Sequence, residues 1–343
     1  MKPPCAPSPP CEILVVKLSS LGDVVRSTGC LQRLREAWPE ARIRFVVDER
    51  FAPVLEGHLG LDDLIVAPSI HRGLGVQLLH AARQLRSLGS PRFDLAIDLQ
   101  GNRFSTAWMY AARARVRLGR GGFRPGWAAT RAGSLLLNDV EDQARILGLL
   151  GLPEQPLPPR LPILPEADRR VGEVLAGMGL SSKEFVVLNP FSAWSSKEWP
   201  WDRYAAVAQR LLTERGIPSV VTSGPGEAAR MPSPDGTGWH SVAGQLSLPE
   251  LAALLHRARL VLTGDSGPMH MAAAAGTPVV ALFGPTWPQR SGPWGTGHRV
   301  LQASRPDHHH AYRDPDSRRH ILALDVPTVA TSVLDALEPR GNP

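Results

Sequence analysis

The chain has 343 residues, more than one core of ordinary size and enough for two domains of about 150 residues each. Hydrophobic residues make up 43% and charged residues 20%, which excludes a disordered chain, and no run of about 18 uncharged apolar residues is present to span a membrane. The net charge of +6 is mostly arginine scattered along the chain, which argues against a nucleic-acid stripe and leaves an anionic small molecule, an anionic membrane or a solvated surface as its reason.

Residues 1–11 are broken by proline, lack the apolar stretch of a signal peptide and read as a frayed tail. Cys5, Cys11 and Cys30 form neither a metal-ligand cluster nor an even disulfide framework, so a reducing cytoplasm is expected. Ile13–Leu18 is apolar apart from Lys17 and suits a strand buried on both faces. Val24, Thr28, Leu31, Leu34 and Trp38 then recur at helical spacing, with Pro39 as the stop. Strands are expected at Ile43–Val47, Leu64–Ala67 and Leu95–Leu99, with a helix marked by Val76, Leu79, Ala82 and Leu85. This alternation is that of a doubly wound parallel α/β sheet spanning residues 12–152.

Prolines at 153, 156, 158, 159, 162 and 165 exclude a helix or a central strand, so residues 153–165 read as a linker. The alternation restarts beyond it, over residues 166–325. Strands are expected at Phe185–Leu188, Ser219–Thr222, Leu260–Thr263 and Val279–Phe283, and helices at Asp202–Arg215, Pro249–Arg257 and after Ser266. A last helix, Val326–Leu337, in the 326–343 tail, suits either domain as a cap. Two such domains imply a cleft where ligands bind.

Four loops carry chemistry. Lys17-Leu18-Ser19-Ser20-Leu21-Gly22-Asp23 leaves the first strand where doubly wound folds bind ligands, and its small residues let backbone N–H groups meet an anion. Asp23 reads either as a carboxylate facing a substrate hydroxyl or as an ordinary helix N-cap. Asn189–Trp201, rich in serine and holding Lys197, suits a phosphate or is a solvated loop pinned by tryptophans. Glu227, after Thr222-Ser223-Gly224-Pro225-Gly226, suits ribose hydroxyls or simply opens a helix. Gly264-Asp265-Ser266-Gly267-Pro268-Met269-His270 runs from a buried strand into an alanine-rich helix whose N-terminus suits a diphosphate, with His270 donating to the same anion rather than filling the core. Phe283-Gly284-Pro285-Thr286 adds a second tight turn.

The dinucleotide fingerprint G-x-G-x-x-G is absent from the first turn. Gly119–Gly126 is glycine-rich and basic but lacks G-K-[ST], so it reads as a loop. Asp307-His308-His309-His310, with His320, reads as a surface loop rather than a metal site, since nothing fixes a coordination geometry.

Taken together, K-L-S-S-L-G-D-V-V, S-S-K-E-W-P, G-D-S-G-P-M-H and F-G-P-T resemble glycosyltransferase family 9, the ADP-heptose:lipopolysaccharide heptosyltransferases, over roughly Ile13–Leu337. The resemblance implies a GT-B fold, two Rossmann-like doubly wound domains facing across a cleft, and an inverting transferase that needs no metal or cofactor. It implies Asp23 as the catalytic base, with Ser19, Ser20 and Gly22 beside the acceptor. It further implies Lys197 on the donor diphosphate, Ser192 next to it, Glu227 on the ribose, and Asp265, Ser266, Gly267 and His270 in the donor pattern. The partners so implied are the nucleotide-sugar ADP-heptose and an anionic glycolipid acceptor, at the cytoplasmic face of the inner membrane, with no nucleic acid. A different nucleotide-sugar or glycan acceptor, a nucleotide-sugar epimerase and a non-catalytic binding protein are the alternatives.

Overall fold

The computed structural model describes residues 9–87, 93–121, 127, 129–131, 133, 137–232, 238–308 and 311–338. It divides into two compact units, Met1–Pro162 and Ile163–Pro343.

The first unit is built on six parallel strands: β1 (Glu12–Val16), β2 (Arg42–Asp48), β3 (Asp63–Ala67), β4 (Leu95–Asp98), β5 (Val116–Arg120) and β6 (Ala129–Arg131). Their order is β3-β2-β1-β4-β5-β6, so the sheet grows one way from β1 and then the other from β4. Ligands of such sheets sit outside the carboxyl ends at that reversal. The helices are α1 (Leu21–Arg26), α2 (Thr28–Ala37), α3 (Leu74–Ser87), α4 (Arg103–Ala111) and α5 (Asp139–Leu147). Residues of β1, β2 and β4 are almost all buried, which is why these strands read as continuous apolar runs.

Where one helix was expected from Val24 to Trp38, the chain forms α1 and α2. Ser27 Oγ donates to Val24 O at 2.6 Å and Thr28 Oγ1 to Val25 O at 2.8 Å, and such back-bonding bends or breaks a helix. For α3 the periodicity finds the helix but not its inner face: Gln77, Ala81 and Leu85 are buried, whereas Val76 and Leu79 are exposed. Gln77 fills an inward position because its amide is satisfied twice, accepting from Trp108 Nε1 at 3.0 Å and donating to Pro68 O at 2.5 Å.

Gly119 and Arg120, expected in a loop, complete β5. Gly119 has φ +157°, and a Cβ there would lie 2.4 Å from Asp98 O, so glycine lets β5 run against β4. Residues 1–8 of the expected tail, 122–126 of the glycine-rich loop, and His309 and His310 lie outside the described residues. Part of the proline-rich segment is bonded to the first unit: Arg160 N–H donates to Thr28 Oγ1 at 2.9 Å and Arg33 to Gln155 O at 3.1 Å. Pro165, the last proline of that segment, is instead the first residue of a helix, where its fixed φ is favourable.

His58 is buried and accepts the Gly60 N–H on Nδ1 at 3.0 Å. Burial lowers its pKa from 6.5 to about 4. The depressed value means that its contribution to stability is complete above pH 6.5 and is lost as pH falls toward 4. Denaturant titrations between these limits are expected to slope by up to about 1.4 kcal/mol per pH unit, and His58→Asn is expected to flatten that slope. An unchanged slope in the variant would assign the acid sensitivity elsewhere.

The second unit repeats the winding. β7 (Val186–Asn189), β8 (Ser219–Val221), β9 (Trp239–Ser241), β10 (Leu260–Gly264), β11 (Val279–Phe283) and β12 (Arg299–Gln302) are parallel in the order β12-β11-β10-β7-β8-β9. Its reversal lies between β7 and β10. The helices are α6 (Pro165–Gly177), α7 (Trp201–Arg215), α8 (Leu248–Arg257) and α9 (Gly267–Ala274). The C-terminal helix Val326–Leu337 belongs to this unit, burying Val329, Val333 and Leu337 in one cluster with Trp199 and Tyr204. Among the described residues no single helix is long and apolar enough to cross a membrane.

Candidate active site

In the first unit the reversal is framed by the exits of β1 and β4. Ser19 N–H donates to Gln100 Oε1 at 3.1 Å, and the buried Lys17 donates through Nζ to Leu99 O at 3.3 Å. Ser20 caps α1, and its N–H and Oγ both donate to Asp23 Oδ2, at 2.9 and 3.1 Å. Asp23 is therefore the reciprocal acid of a capping box at the third helical position, not the N-cap. Its Oδ1 is paired with Arg26.

A buried charge network continues from there. Arg26 lies 3.8 Å from Asp139 Oδ2, Asp139 pairs with Arg120, and Arg120 reaches Asp142 Oδ2 at 2.6 Å. Gln143 Nε2 donates to Asp139 Oδ2 at 2.8 Å. Burial acts to raise the Asp23 pKa, but the Lys17 and Arg26 cations outweigh it and bring the carboxyl down to about 2. Burial pushes Lys17 down from its ordinary value, against the pull of Asp23 and Asp139. The result is a carboxylate that is always charged at physiological pH and whose side chain is 26% exposed. Of its expected companions, Ser20 is exposed, Ser19 half-buried, and Gly22 enclosed in the first turn of α1.

In the second unit, the carboxyl ends of β7 and β10 carry the other candidates. Asn189 Nδ2 donates to Thr263 Oγ1 at 3.0 Å and to Ser266 Oγ at 3.3 Å, tying the two strand ends together. Ser192 Oγ donates to Asp265 O at 3.2 Å. Lys197 Nζ donates to Asp265 Oδ2 at 2.7 Å and lies 4.6 Å from the centre of the Tyr312 ring. A Cβ at Gly264 would come 3.1 Å from Lys197 O, so glycine lets the lysine loop lie against the strand end. Burial would raise the Asp265 pKa, but the Lys197 ammonium, helped by His270, holds it below the ordinary range.

Ser266 is the extended N-cap of α9 and Gly267 its first residue. His270 is buried in the same helix. Glu227 stands beyond the end of β8, next to β7 in the sheet, as the N-cap of a single 3-10 helical turn, Ala228–Arg230. The structure thus gathers Ser192, Lys197, Asp265, Ser266, Gly267 and His270 at one strand-end pair, with Glu227 at the adjoining strand.

Several contributors carry no local sequence signal. Arg120 and Asp139 reach the Asp23 network only through the fold. Glu198, next to Lys197, is buried, receives the Ser192 N–H at 3.2 Å and pairs with Arg230 at 2.5 Å. Tyr312 packs edge-on to Trp194 at 5.2 Å. Among the described residues no group of three or more His, Cys, Asp or Glu is disposed to hold a metal, and His320 Nδ1 instead meets Ser304 Oγ at 2.6 Å.

Residues 81–320 match the family model for glycosyltransferase family 9 (heptosyltransferase). The chain belongs to glycosyltransferase family 9. It is 29% identical over 328 residues to lipopolysaccharide heptosyltransferase 1 of Pseudomonas aeruginosa, covering 86% of this chain and 84% of that protein. Among solved structures, a glycosyl transferase family 9 protein from Veillonella parvula superposes with a TM-score of 0.82 at 24% identity, covering 95% of this chain and 97% of that one. The E. coli ADP-heptose lps heptosyltransferase II superposes with a TM-score of 0.76 at 22% identity, over 95% and 98% of the two chains. The family 9 chain has the α/β architecture of these GT-B structures. Membership makes it a glycosyltransferase and sets the epimerase reading aside.

Proposed function

We propose that this family 9 enzyme transfers heptose from ADP-heptose to a phosphorylated inner-core lipopolysaccharide acceptor, with inversion at C1 and without a metal. The observation that carries the reading is the Lys197–Asp265 pair at the start of α9. Asp265 fixes the ammonium at 2.7 Å and uses one of its three N–H bonds, leaving two for a diphosphate beside the N–H groups of the helix's first turn. The names of the Pseudomonas and E. coli relatives support the donor and the acceptor.

In this mechanism the acceptor hydroxyl attacks C1 and gives its proton to Asp23. The new C1–O bond forms as the bond from C1 to the diphosphate oxygen breaks, and ADP leaves with the electron pair. Lys197, His270 and the α9 N–H groups stabilise the charge developing on that oxygen, Glu227 takes ribose hydroxyls, and Ser192 supports the loop. Ser19 and Ser20 border the acceptor, with Gly22 behind them. The reaction takes place at the cytoplasmic face of the inner membrane, where such an acceptor is anchored.

Thermal shifts with ADP, UDP, GDP and CMP, followed by transfer from ADP-heptose to a deacylated acceptor, test the reading. ADP at 100 times its Kd is expected to add about 2.7 kcal/mol of stability, with no comparable shift from the other nucleotides. Stronger stabilisation by UDP or GDP would discard the heptose donor.

A further inference from the structure

The outward side of α3 carries Val76, Leu79, Arg83 and Arg86, spaced three, four and three residues apart and so aligned on one stripe. Leu79 is 74% exposed, and the neighbouring Leu78 and Val76 are 45% and 43% exposed. From Ser69 to Phe93 the sequence contains no Asp or Glu, while Arg72, Arg83, Arg86 and Arg92 all fall within it. Arg72 lies 3.4 Å from Glu49; among the described residues Arg83 and Arg86 lie within ion-pair distance of no carboxylate. A helix that buries its polar Gln77 and shows leucine and arginine to solvent has the composition of an interfacial helix.

We propose that this face of α3 rests on an anionic lipid bilayer, its leucine and valine side chains in the acyl–headgroup boundary and its arginines on the lipid phosphates. Charge chooses the occupant. A stretch of 25 residues without a single acid suits a uniformly negative surface better than a protein surface of mixed charge, and a nucleic acid has no use for the exposed leucines. The inference rests on the membrane-anchored acceptor for its purpose, and its test is independent of catalysis.

Purified protein is sedimented with vesicles of phosphatidylglycerol and phosphatidylethanolamine, and with vesicles of phosphatidylcholine alone. Binding is expected to the first and not to the second. Arg83→Gln with Arg86→Gln is expected to weaken it by about thirtyfold, and Val76→Ser with Leu79→Ser by roughly tenfold, with melting temperatures close to that of the parent because these side chains are exposed. Arg210→Gln, at a half-buried position of α7 where the arginine pairs with Glu214, is expected to bind as the parent does. Equal binding by all variants overturns the proposal, as does absence of binding by the parent. A change of oligomeric state in the serine variant without vesicle binding also overturns it, by assigning the face to a second copy. Vesicle binding without transfer from ADP-heptose removes the functional reading alone; transfer to a deacylated acceptor without vesicle binding removes only the membrane surface.

Discussion

Asp23→Asn is expected to lower kcat by about a thousandfold while the affinity for ADP stays within a few-fold. Asparagine keeps an oxygen for the Ser20 N–H and hydroxyl, so the α1 cap survives, but it takes no proton from an acceptor and leaves Arg26 without its nearest anion. A carboxylate of pKa about 2 is a weak base toward a resting alcohol. It becomes an adequate one late in the reaction, when the attacking oxygen has bonded to C1 and its proton is strongly acidic. No acid limb from Asp23 is then expected in the pH profile of kcat/KM above pH 4. Its depressed pKa also stabilises the fold: the contribution is complete above 3.8 and is lost as pH falls toward 2. The variant should be less stable than the parent by about 2 kcal/mol at neutral pH and converge with it in strong acid. Transfer at the parental rate by a correctly folded variant would remove Asp23 from the chemistry.

The second large effect is expected at Lys197. Lys197→Met removes the charge-assisted bonds to a diphosphate, and the Kd for ADP should rise roughly thirty- to a hundredfold, read by calorimetry. The same change leaves the nearly buried Asp265 carboxylate unpaired, its side chain only 8% exposed, and an unpaired buried charge is costly. Asp265→Asn added to Lys197→Met should restore much of the melting temperature but none of the ADP affinity. That split separates a ligand-binding lysine from one that merely balances a buried acid, since in the latter case ADP affinity would not change at all.

What the sequence made legible follows from how local each feature is. Strand, loop and helix start are contiguous at Lys17–Asp23 and at Gly264–His270, so their residue types alone located the two strand-to-helix turns. The far end of the Asp23 network was hidden: its nearest cations, Lys17 and Arg26, are local, but Asp139 and Arg120 are about a hundred residues away and join the network only because α5 packs beside both α1 and β5. The orientation of α3 was misread because Gln77, polar in sequence, has both ends of its amide satisfied inside. The short strands β9 and β12 gave no readable run, being three and four residues long and bordered by polar sequence.

The strand orders also bear on how the chain is made. β1 is hydrogen-bonded to β4 and β7 to β10, partners that are separated by some seventy to eighty residues of intervening chain. At synthesis rates of about 5–20 residues per second, each central strand leaves the ribosome several seconds before the neighbour that completes its pairing exists. Throughout that interval an apolar edge such as Ile13–Val16 stands open. Nascent chains stalled before Leu95 or before Leu260 are therefore the species in which chaperone capture and aggregation should concentrate.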